Sequence, residues 1–391
     1  MSEDKVKMQE ARITDEMIEE MREKIGLKLR IEHSIFNEEA TRMAILKFSD
    51  GIGDTNPLWT DAEYAEKTRY GTIIAPPSWV FGVFSGVQFG WRGLAGFHNA
   101  TEVEFYRPVR RNDKIIPECT YTGFEGPKAS SFAESMVIDW YENRYSNQRN
   151  ELVSMAKWSV IRVDKEKARE KGKYQKIELP HPWTEQELRK IEEEVLAEEI
   201  SGTDTPGWDD IKVNQELKPL VKGPIGMTDE IAFIAGGGAP IPRLSAHGAS
   251  LRTYRRHPAW AFRDPTTFAL EPIYAVHYNK EAAKSMGLPL QYDVGFQRHC
   301  WQVHLLTNWM GDEGWLKKSY AEYRRFVYHS DVIWLGGKVT EKFIDEGDEP
   351  CVRIETKAIN QRGENVMPGY AIIALPSRER GTSPLDRRLG L

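Results

Sequence analysis

Residues Gly295–Met310 read GFQRHCWQVHLLTNWM, a helix-like run whose neighbours in the chain decide the fold. Four strand-like segments come next, near Ser319–Val327, Ile333–Phe343, Val352–Ile359 and Val366–Leu375. In the third, Val352, Ile354 and Ala358 alternate with Arg353, Glu355 and Lys357, the pattern of a half-buried strand. The same order occurs once before. Pro76 to about Gly90 (PPSWVFGVFSGVQFG) is almost wholly apolar, and a helix apolar all round must be wrapped by other structure. Segments Thr101–Val109, Lys114–Phe124, Ser131–Glu142 and Leu152–Val163 come after it, rich in β-branched and aromatic residues and parted by Asn, Gly and Pro turns. One buried helix and then a strand meander suits an antiparallel sheet wrapped around a helix, an α+β class. A gapless shift of 218 positions relates the two passages. It pairs Glu63 with Glu281, Ala65 with Ala283, Trp91 with Trp309, Gly93 with Gly311 and Gly96 with Gly314. Glu104 meets Glu322, Arg107 meets Arg325, Val109 meets Val327, Asp113 meets Asp331 and Ile115 meets Ile333. The domain is duplicated.

A chain of 391 residues suits two such units. Apolar residues make up 40% and charged residues 29%, the balance of a globular protein. A net charge of −6 gives no electrostatic case for nucleic acid. No uncharged apolar run reaches the roughly 18–20 residues of a membrane span, and the acidic start lacks the apolar core of a signal peptide. Cys119, Cys300 and Cys351 are far apart and odd in number, which reads as buried, reduced thiols in a cytoplasmic protein. They also lack metal-ligand spacing. Twelve tryptophans suit a broad apolar pocket or a large interface.

Thr14 to about Arg22 is a short amphipathic helix carrying Met17, Ile18 and Met21 on one side. Arg169–Lys176 is a charged connector. Thr184 opens a capping box with Glu187, and Leu188, Ile191 and Val195 form one stripe of a linker helix. Ser201–Asp210 closes the boundary with Gly202, Pro206 and Gly207. The expected division is therefore 1–175, a linker 176–210, and 211–391.

Gly53-Asp54-Thr55-Asn56-Pro57-Leu58-Trp59-Thr60-Asp61, followed by Ala65, resembles the GDxNPxHxD signature of MaoC-like dehydratases and (R)-specific enoyl-CoA hydratases. Ile74-Ala75-Pro76-Pro77 looks like the start of their central helix. Tyr292-Asp293-Val294-Gly295 through Asn308-Trp309-Met310-Gly311-Asp312, with Gly337-Lys338-Val339-Thr340, is similar to long double-hotdog acyl dehydratases and to the catalytic subunit of two-part steroid side-chain enoyl-CoA hydratases. The matches span roughly residues 30–165 and 211–375. The resemblance implies a tandem hotdog fold, each half an antiparallel sheet around a long central helix. It implies hydration or dehydration of an enoyl-CoA or 3-hydroxyacyl-CoA thioester, and the many tryptophans suit a bulky acyl group. No metal or redox cofactor is implied, since coenzyme A belongs to the substrate. Neither a nucleic acid nor a membrane is a partner, and the assembly expected is a homo-oligomer, a dimer of double hotdogs.

In that family an aspartate and a histidine of the signature form the catalytic dyad, and a backbone amide at the central helix N-terminus holds the thioester oxygen. Hydration needs a base for water and a proton for the α-carbon. The enolate-like charge needs a fixed donor, which a helix N-terminus supplies. Here Asp54 and Asn56 match, but Trp59 stands at the histidine position, and an indole exchanges no proton at neutral pH. The 218 shift carries Trp59 onto His277, in Ala275-Val276-His277-Tyr278-Asn279. Pro272 then occupies the aspartate position, with Glu271 the nearest upstream carboxylate and Asp264 beyond it. Gly295 aligns with Pro77 and keeps the N–H that proline lacks. The expected site is thus His277 with Glu271 and Asp54 as catalytic groups, Gly295 as oxyanion donor, and Asn56, Trp59 and Arg298 against the substrate. The N-terminal half is the degenerate one.

Each of these residues also has a structural reading. His277 could be a satisfied core histidine, and Asp54 and Asn56 could hold the turn before a helix capped by Thr60 and Glu63. Arg298, like its neighbour His299 a candidate substrate contact, could pair with Asp293. Asp113 and Asp331 serve corresponding turns. Ala235-Gly236-Gly237-Gly238-Ala239-Pro240 lacks a nucleotide-site pattern and reads as a flexible loop. His247–Asp264 is a basic, aromatic insertion before a His277 strand, where Arg252, Arg255 and Arg256 could meet phosphates or simply face water. Rival functions are an acyl-CoA thioesterase and a non-catalytic CoA-binding partner subunit.

Overall fold

The computed structural model describes residues 12–87, 89–129, 135–163, 177–238 and 244–389. Its N-terminal half carries helices α1 (Asp15–Glu23), α2 (Arg42–Ile52), α3 (Pro57–Thr60), α4 (Ala62–Lys67) and α5 (Val80–Val83). Strands β1 (Ala95–Phe105), β2 (Ile115–Lys128), β3 (Met136–Asn147) and β4 (Leu152–Val163) follow. Helix α6 (Glu185–Leu196) begins with the expected capping box of Thr184 and Glu187. The connector 169–176 lies outside the described residues, as do Ala239 and Pro240 of the glycine-rich segment and Ser131–Glu134 of the third expected strand. The C-terminal half runs β5 (Leu220–Lys222), α7 (Met227–Ala235), α8 (His247–Arg256), β6 (Ala261–Arg263), β7 (Leu270–Pro272), α9 (Lys280–Ser285) and α10 (Gly295–Met310). It ends with β8 (Trp315–Glu322), β9 (Ile333–Ile344), β10 (Pro350–Asn360), β11 (Gly369–Ala374) and α11 (Pro384–Leu389).

Nine strands form one sheet in the order β2-β3-β4-β1-β8-β11-β10-β9-β5. The halves meet where β1 and β8 pair antiparallel, Val103 opposite Ser319 and Ala100 opposite Glu322. Alternating burial along β3 and β10 turns one face of this sheet inward. A single hydrophobic cluster, with Phe48, Trp59, Trp79 and Trp158 at one end and Cys300, Leu306, Ile354 and Ile373 at the other, runs through both halves. Fully burying a large apolar side chain is worth about 1.5–3 kcal/mol, so this common core ties the halves together. Helix α2 also packs on α7 so tightly that a Cβ on Gly51 would stand 2.8 Å from the Ala232 carbonyl oxygen.

The duplication holds at the level of single bonds. Asp113 accepts from the Arg110 amide at 2.9 Å and Asp331 from the Tyr328 amide at 3.0 Å, the same turn 218 residues apart. Asp61 caps α4 and Asn279 caps α9 at the same shift.

The two central helices differ. Helix α10 is wrapped as expected, with every residue from Phe296 to Asn308 buried. The long helix expected over Pro76–Gly90 is instead a 3-10 turn, Pro77–Trp79, and the four residues of α5. Phe84 adopts an extended backbone (φ −159°, ψ 117°), and β3 side chains take up the carbonyls released there. Tyr145 O–H donates to the Phe84 carbonyl and Asn143 Nδ2 to that of Ser85. Buried backbone acceptors need partners, and β3 supplies them in place of further helical turns.

Candidate active site

The signature loop is held from its own side chains. Helix α2 ends at Gly53 in the left-handed region (φ 63°), whose N–H closes on Asp50 and Ser49. Asp54 Oδ1 then accepts from the Asn56 amide at 3.1 Å, and Asn56 Oδ1 from the Leu58 amide at 3.0 Å, which caps α3. The turn-holding reading of both residues is what their geometry gives. The expected cap of Thr60 with Glu63 is replaced by Asp61, whose carboxylate accepts from the Glu63 and Tyr64 amides at 2.9 and 3.2 Å. Thr60 instead donates to the Asn56 carbonyl at 2.9 Å. Trp59 is buried and packed in the core.

Asp54 meets a histidine after all, and it comes from the other half. His304, on α10, lies with Nε2 at 2.7 Å from Glu198 Oε1 and 3.4 Å from Asp54 Oδ1. Asn308 Nδ2 donates to the same Glu198 oxygen at 2.8 Å, and Lys222 Nζ donates to the Gly53 carbonyl at 2.8 Å. Burial pushes the Asp54 carboxyl up, His304 opposing it, while bonds from His304 and Asn308 help hold Glu198 down despite its own burial. Beside this cluster lies a cavity of about 40 Å³, lined among others by Asn56, Trp59, Pro77, Val80, Thr307 and Met310. A water needs about 10–15 Å³ by the same measure, so the space exceeds one water, and its lining is mostly apolar.

In the C-terminal half His277 ends a 3-10 turn, Ile273–His277, instead of lying on a strand. Its Nδ1 is 2.9 Å from the Tyr292 carbonyl oxygen. A carbonyl only accepts, so Nδ1 carries the hydrogen and Nε2 keeps its lone pair. Burial lowers this imidazole to about 4, with the Tyr292 carbonyl and Asp293 pulling the other way. Three residues beyond Tyr292, α10 begins at Gly295 with no side-chain cap at Val294. Its first amides are therefore free to bind an anion.

The other expected members fall elsewhere. Among the described residues no hydrogen bond or ion pair joins His277 to Glu271 or to Asp54. Glu271, on β7, is raised by burial and by Asp264, and acts on Tyr254 and Tyr278. Arg298 is buried and its donors are spent on Asp293, at 2.7 Å through Nε, and on the Arg325 and Val366 carbonyls. That is the structural role beside Asp293 and not a substrate contact. Arg252, Arg255 and Arg256 are exposed on a helix, α8. Among the described residues there is no cluster fit to hold a metal ion, and no helix is long and apolar enough to cross a membrane.

Two features carry no signal in the expected motifs. His304 and Glu198 have no motif spacing, and only folding brings them to Asp54. Asn147-Gln148-Arg149-Asn150-Glu151 and Asn360-Gln361-Arg362-Gly363-Glu364 do share a pattern, a near-identical pentad displaced by 213 rather than 218 positions. In both turns the Asn side chain accepts the amide of the Glu four residues on, at 3.0 Å, and the Gln amide reaches the aspartate of the neighbouring turn.

Residues 30–156 match the profile of a family described as FAS1-like, dehydratase domain region. A UPF0336 protein of Streptomyces avermitilis is 33% identical over 109 residues, 26% of this chain and 69% of that one. Its counterpart in Streptomyces coelicolor is 33% identical over 90 residues, and there the chain spans only 60% of the relative's length. A probable enoyl-CoA hydratase alpha subunit of Thermomonospora curvata is 24% identical over 153 residues, 34% of this chain and 48% of that one. Among solved structures, a MaoC-like dehydratase superposes with a TM-score of 0.61 at 15% identity, covering 91% of this chain and 100% of the other. A putative MaoC domain dehydratase from Chloroflexus aurantiacus superposes at 0.52 and 11% identity, covering 90% and 96%. These superpositions bear on the fold, which is theirs.

Proposed function

We propose, from the premise that this chain belongs to the MaoC-like hotdog dehydratases, that it hydrates an enoyl thioester of coenzyme A or dehydrates the 3-hydroxyacyl thioester. The observation that carries this reading is the single loop Tyr292–Gly295. Its first residue fixes the tautomer of His277, and its last opens an uncapped helix. The relative from Thermomonospora curvata, described as a probable enoyl-CoA hydratase subunit, supports the reaction class.

In the forward direction His277 Nε2 takes a proton from water as the water oxygen bonds to the β-carbon. The double-bond electrons move through the α-carbon onto the thioester oxygen, where the Gly295 N–H and the helix dipole stabilise the charge. His277 then returns its proton to the α-carbon, and the carbonyl re-forms. One imidazole carries both transfers, so a carboxylate at position 272 is not required. Asp293 favours the imidazolium while it lasts. The acyl group is bulky and lies against the tryptophan-rich core between the halves.

Incubation with short, aromatic and polycyclic enoyl-CoA esters tests the reading, following loss of enoyl absorbance alongside release of free thiol. Loss of absorbance without thiol, abolished in His277→Ala, is the expected result. Thiol release instead would make the protein a thioesterase, and full activity in His277→Ala would move the site elsewhere.

A further inference from the structure

The cavity beside the signature loop lies on the first copy of the proposed site. Asn56, Trp59 and Pro77 line it, and the shift of 218 carries these three onto Tyr274, His277 and Gly295. The two helix starts have different neighbours. A Cβ on Gly295 would stand 2.9 Å from Nδ1 of His98, on β1. Pro77 instead borders open space.

This space is separate from the helix start at Gly295. Thr307, Met310 and Gly311 bound it, at the far end of α10. Gly295 and Met310 are the first and last residues of that helix, about 22 Å apart at 1.5 Å per residue. A short acyl group held at Gly295 falls well short of Met310. The cavity, about 40 Å³, has room for about three waters or for a short acyl group of similar bulk.

The walls are apolar, with Ile74, Val80, Phe105 and Leu316 among them, yet two nitrogen donors in them have no acceptor. Trp59 is 2% exposed, and its Nε1 bonds to nothing among the described residues. Trp79 and Trp91 share that lack, but neither lines the cavity. Asn56 is equally buried; its Oδ1 accepts from the Leu58 amide, and no hydrogen bond among the described residues takes up its Nδ2. The donors of Thr307 and Trp315 are already spent on the His304 and Phe105 carbonyls. A buried donor without an acceptor is destabilising, and a guest that presents an oxygen relieves it. Arg107 is the charged residue of the lining, and its side chain is 42% exposed, which puts a cation at the rim.

We propose that the first half keeps a second, non-catalytic acyl site. The carbonyl oxygen of a short acyl thioester accepts from Trp59 Nε1 and Asn56 Nδ2, the acyl carbons fill the apolar space, and the coenzyme A moiety leaves past Arg107, which suits its phosphates. An indole exchanges no proton and Pro77 has no N–H, so the guest is held and not turned over. The choice of a thioester rests on the hydratase reading; the cavity and its donors do not.

The test follows the indole N–H signals of nitrogen-15-labelled protein by NMR during titration with butyryl-CoA, and separately with butyrate and with coenzyme A. Trp59→Phe identifies the Trp59 signal, and equilibrium dialysis counts the butyryl-CoA bound. The expected results are a downfield, saturable shift of the Trp59 indole proton with butyryl-CoA alone, and two equivalents bound per chain. One of these should bind roughly 10-fold more weakly in Trp59→Phe, the worth of one hydrogen bond. Val80→Leu, which narrows the cavity and keeps both donors, should abolish the shift; it serves also should Trp59→Phe not fold. An equal response to butyrate transfers the site from the thioester to the free acid. An unmoved Trp59 signal overturns the proposal, while the hydratase reading stands on its own assay. A wild type inactive on every enoyl ester, with one equivalent bound and Trp59 still shifted, overturns the hydratase reading and leaves this site in place.

Discussion

His304 Nε2 stands 2.7 Å from Glu198 and 3.4 Å from Asp54, so a single ring N–H on α10 serves a carboxylate of the linker and a carboxylate of the signature loop. The signature aspartate is thereby bound to the helix of the other half. Replacing His304 by Leu leaves two acids facing a hydrocarbon, and breaking a buried pair in this way costs about 3–5 kcal/mol. Urea denaturation of His304→Leu should show that loss. Glu198→Gln, which keeps a polar group against Asn308 and the ring, should lose clearly less.

Gly295 can be dissected by two substitutions. Gly295→Ala puts a methyl group against His98 but keeps the amide hydrogen, whereas Gly295→Pro adds similar bulk and removes that hydrogen. Proline suits the first position of a helix, as Pro77 shows in the other half. Both variants should therefore fold. The kcat of Gly295→Pro should lie roughly 100-fold below that of Gly295→Ala, and equal rates would remove the amide from the mechanism.

His98 and His299 are held at about 3 and His277 at about 4, each below the usual 6.5 because burial disfavours the charged ring. The unfolded chain binds protons at these sites from about pH 6.5 downward and the folded chain does not, so stability falls as pH drops. Denaturation midpoints should decline between pH 6.5 and 4. The slope of that decline should be shallower in His299→Leu, which lacks one of the sites. Hydratase activity needs neutral His277, so it should persist through this window and fail only near pH 4.

The duplicated turns differ in strength. Asp331 is fully buried and takes both arms of Arg362, at 2.7 and 2.6 Å, with Gln361 and the Tyr328 amide. Asp113 has a 3.6 Å contact to an Arg149 that is 56% exposed. Thermal unfolding should show Asp331→Ala losing about 3–5 kcal/mol and Asp113→Ala markedly less, since exposed ion pairs are worth about 0–1 kcal/mol.

Much of this architecture is legible from residue order. The alternation of Val352, Ile354 and Ala358 marks β10, the span Leu152–Val163 is β4 to the residue, and the 218 shift locates turns that bond alike. The tandem hotdog architecture rests on those signals. What stays hidden depends on long-range partners. Nothing in PPSWVFGVFSGVQFG says that the helix stops at Val83, because Tyr145 and Asn143, which satisfy the freed carbonyls, lie some sixty residues away. Glu271 is six residues from His277 in sequence, yet it lies on the hairpin strand β7 while His277 closes the 3-10 turn that follows, and the two do not bond. His98, His304 and Glu198 belong to no motif at all. They matter through elements that cross, and crossing is a property of the folded chain.

The pairing of β1 with β8 has a further consequence. In an assembly of separate subunits, a side chain on one and a helix start on the other come together only as often as concentration permits. Here both sit on a single covalent chain whose sheet runs unbroken from one half to the other, so His98 faces Gly295 at any dilution.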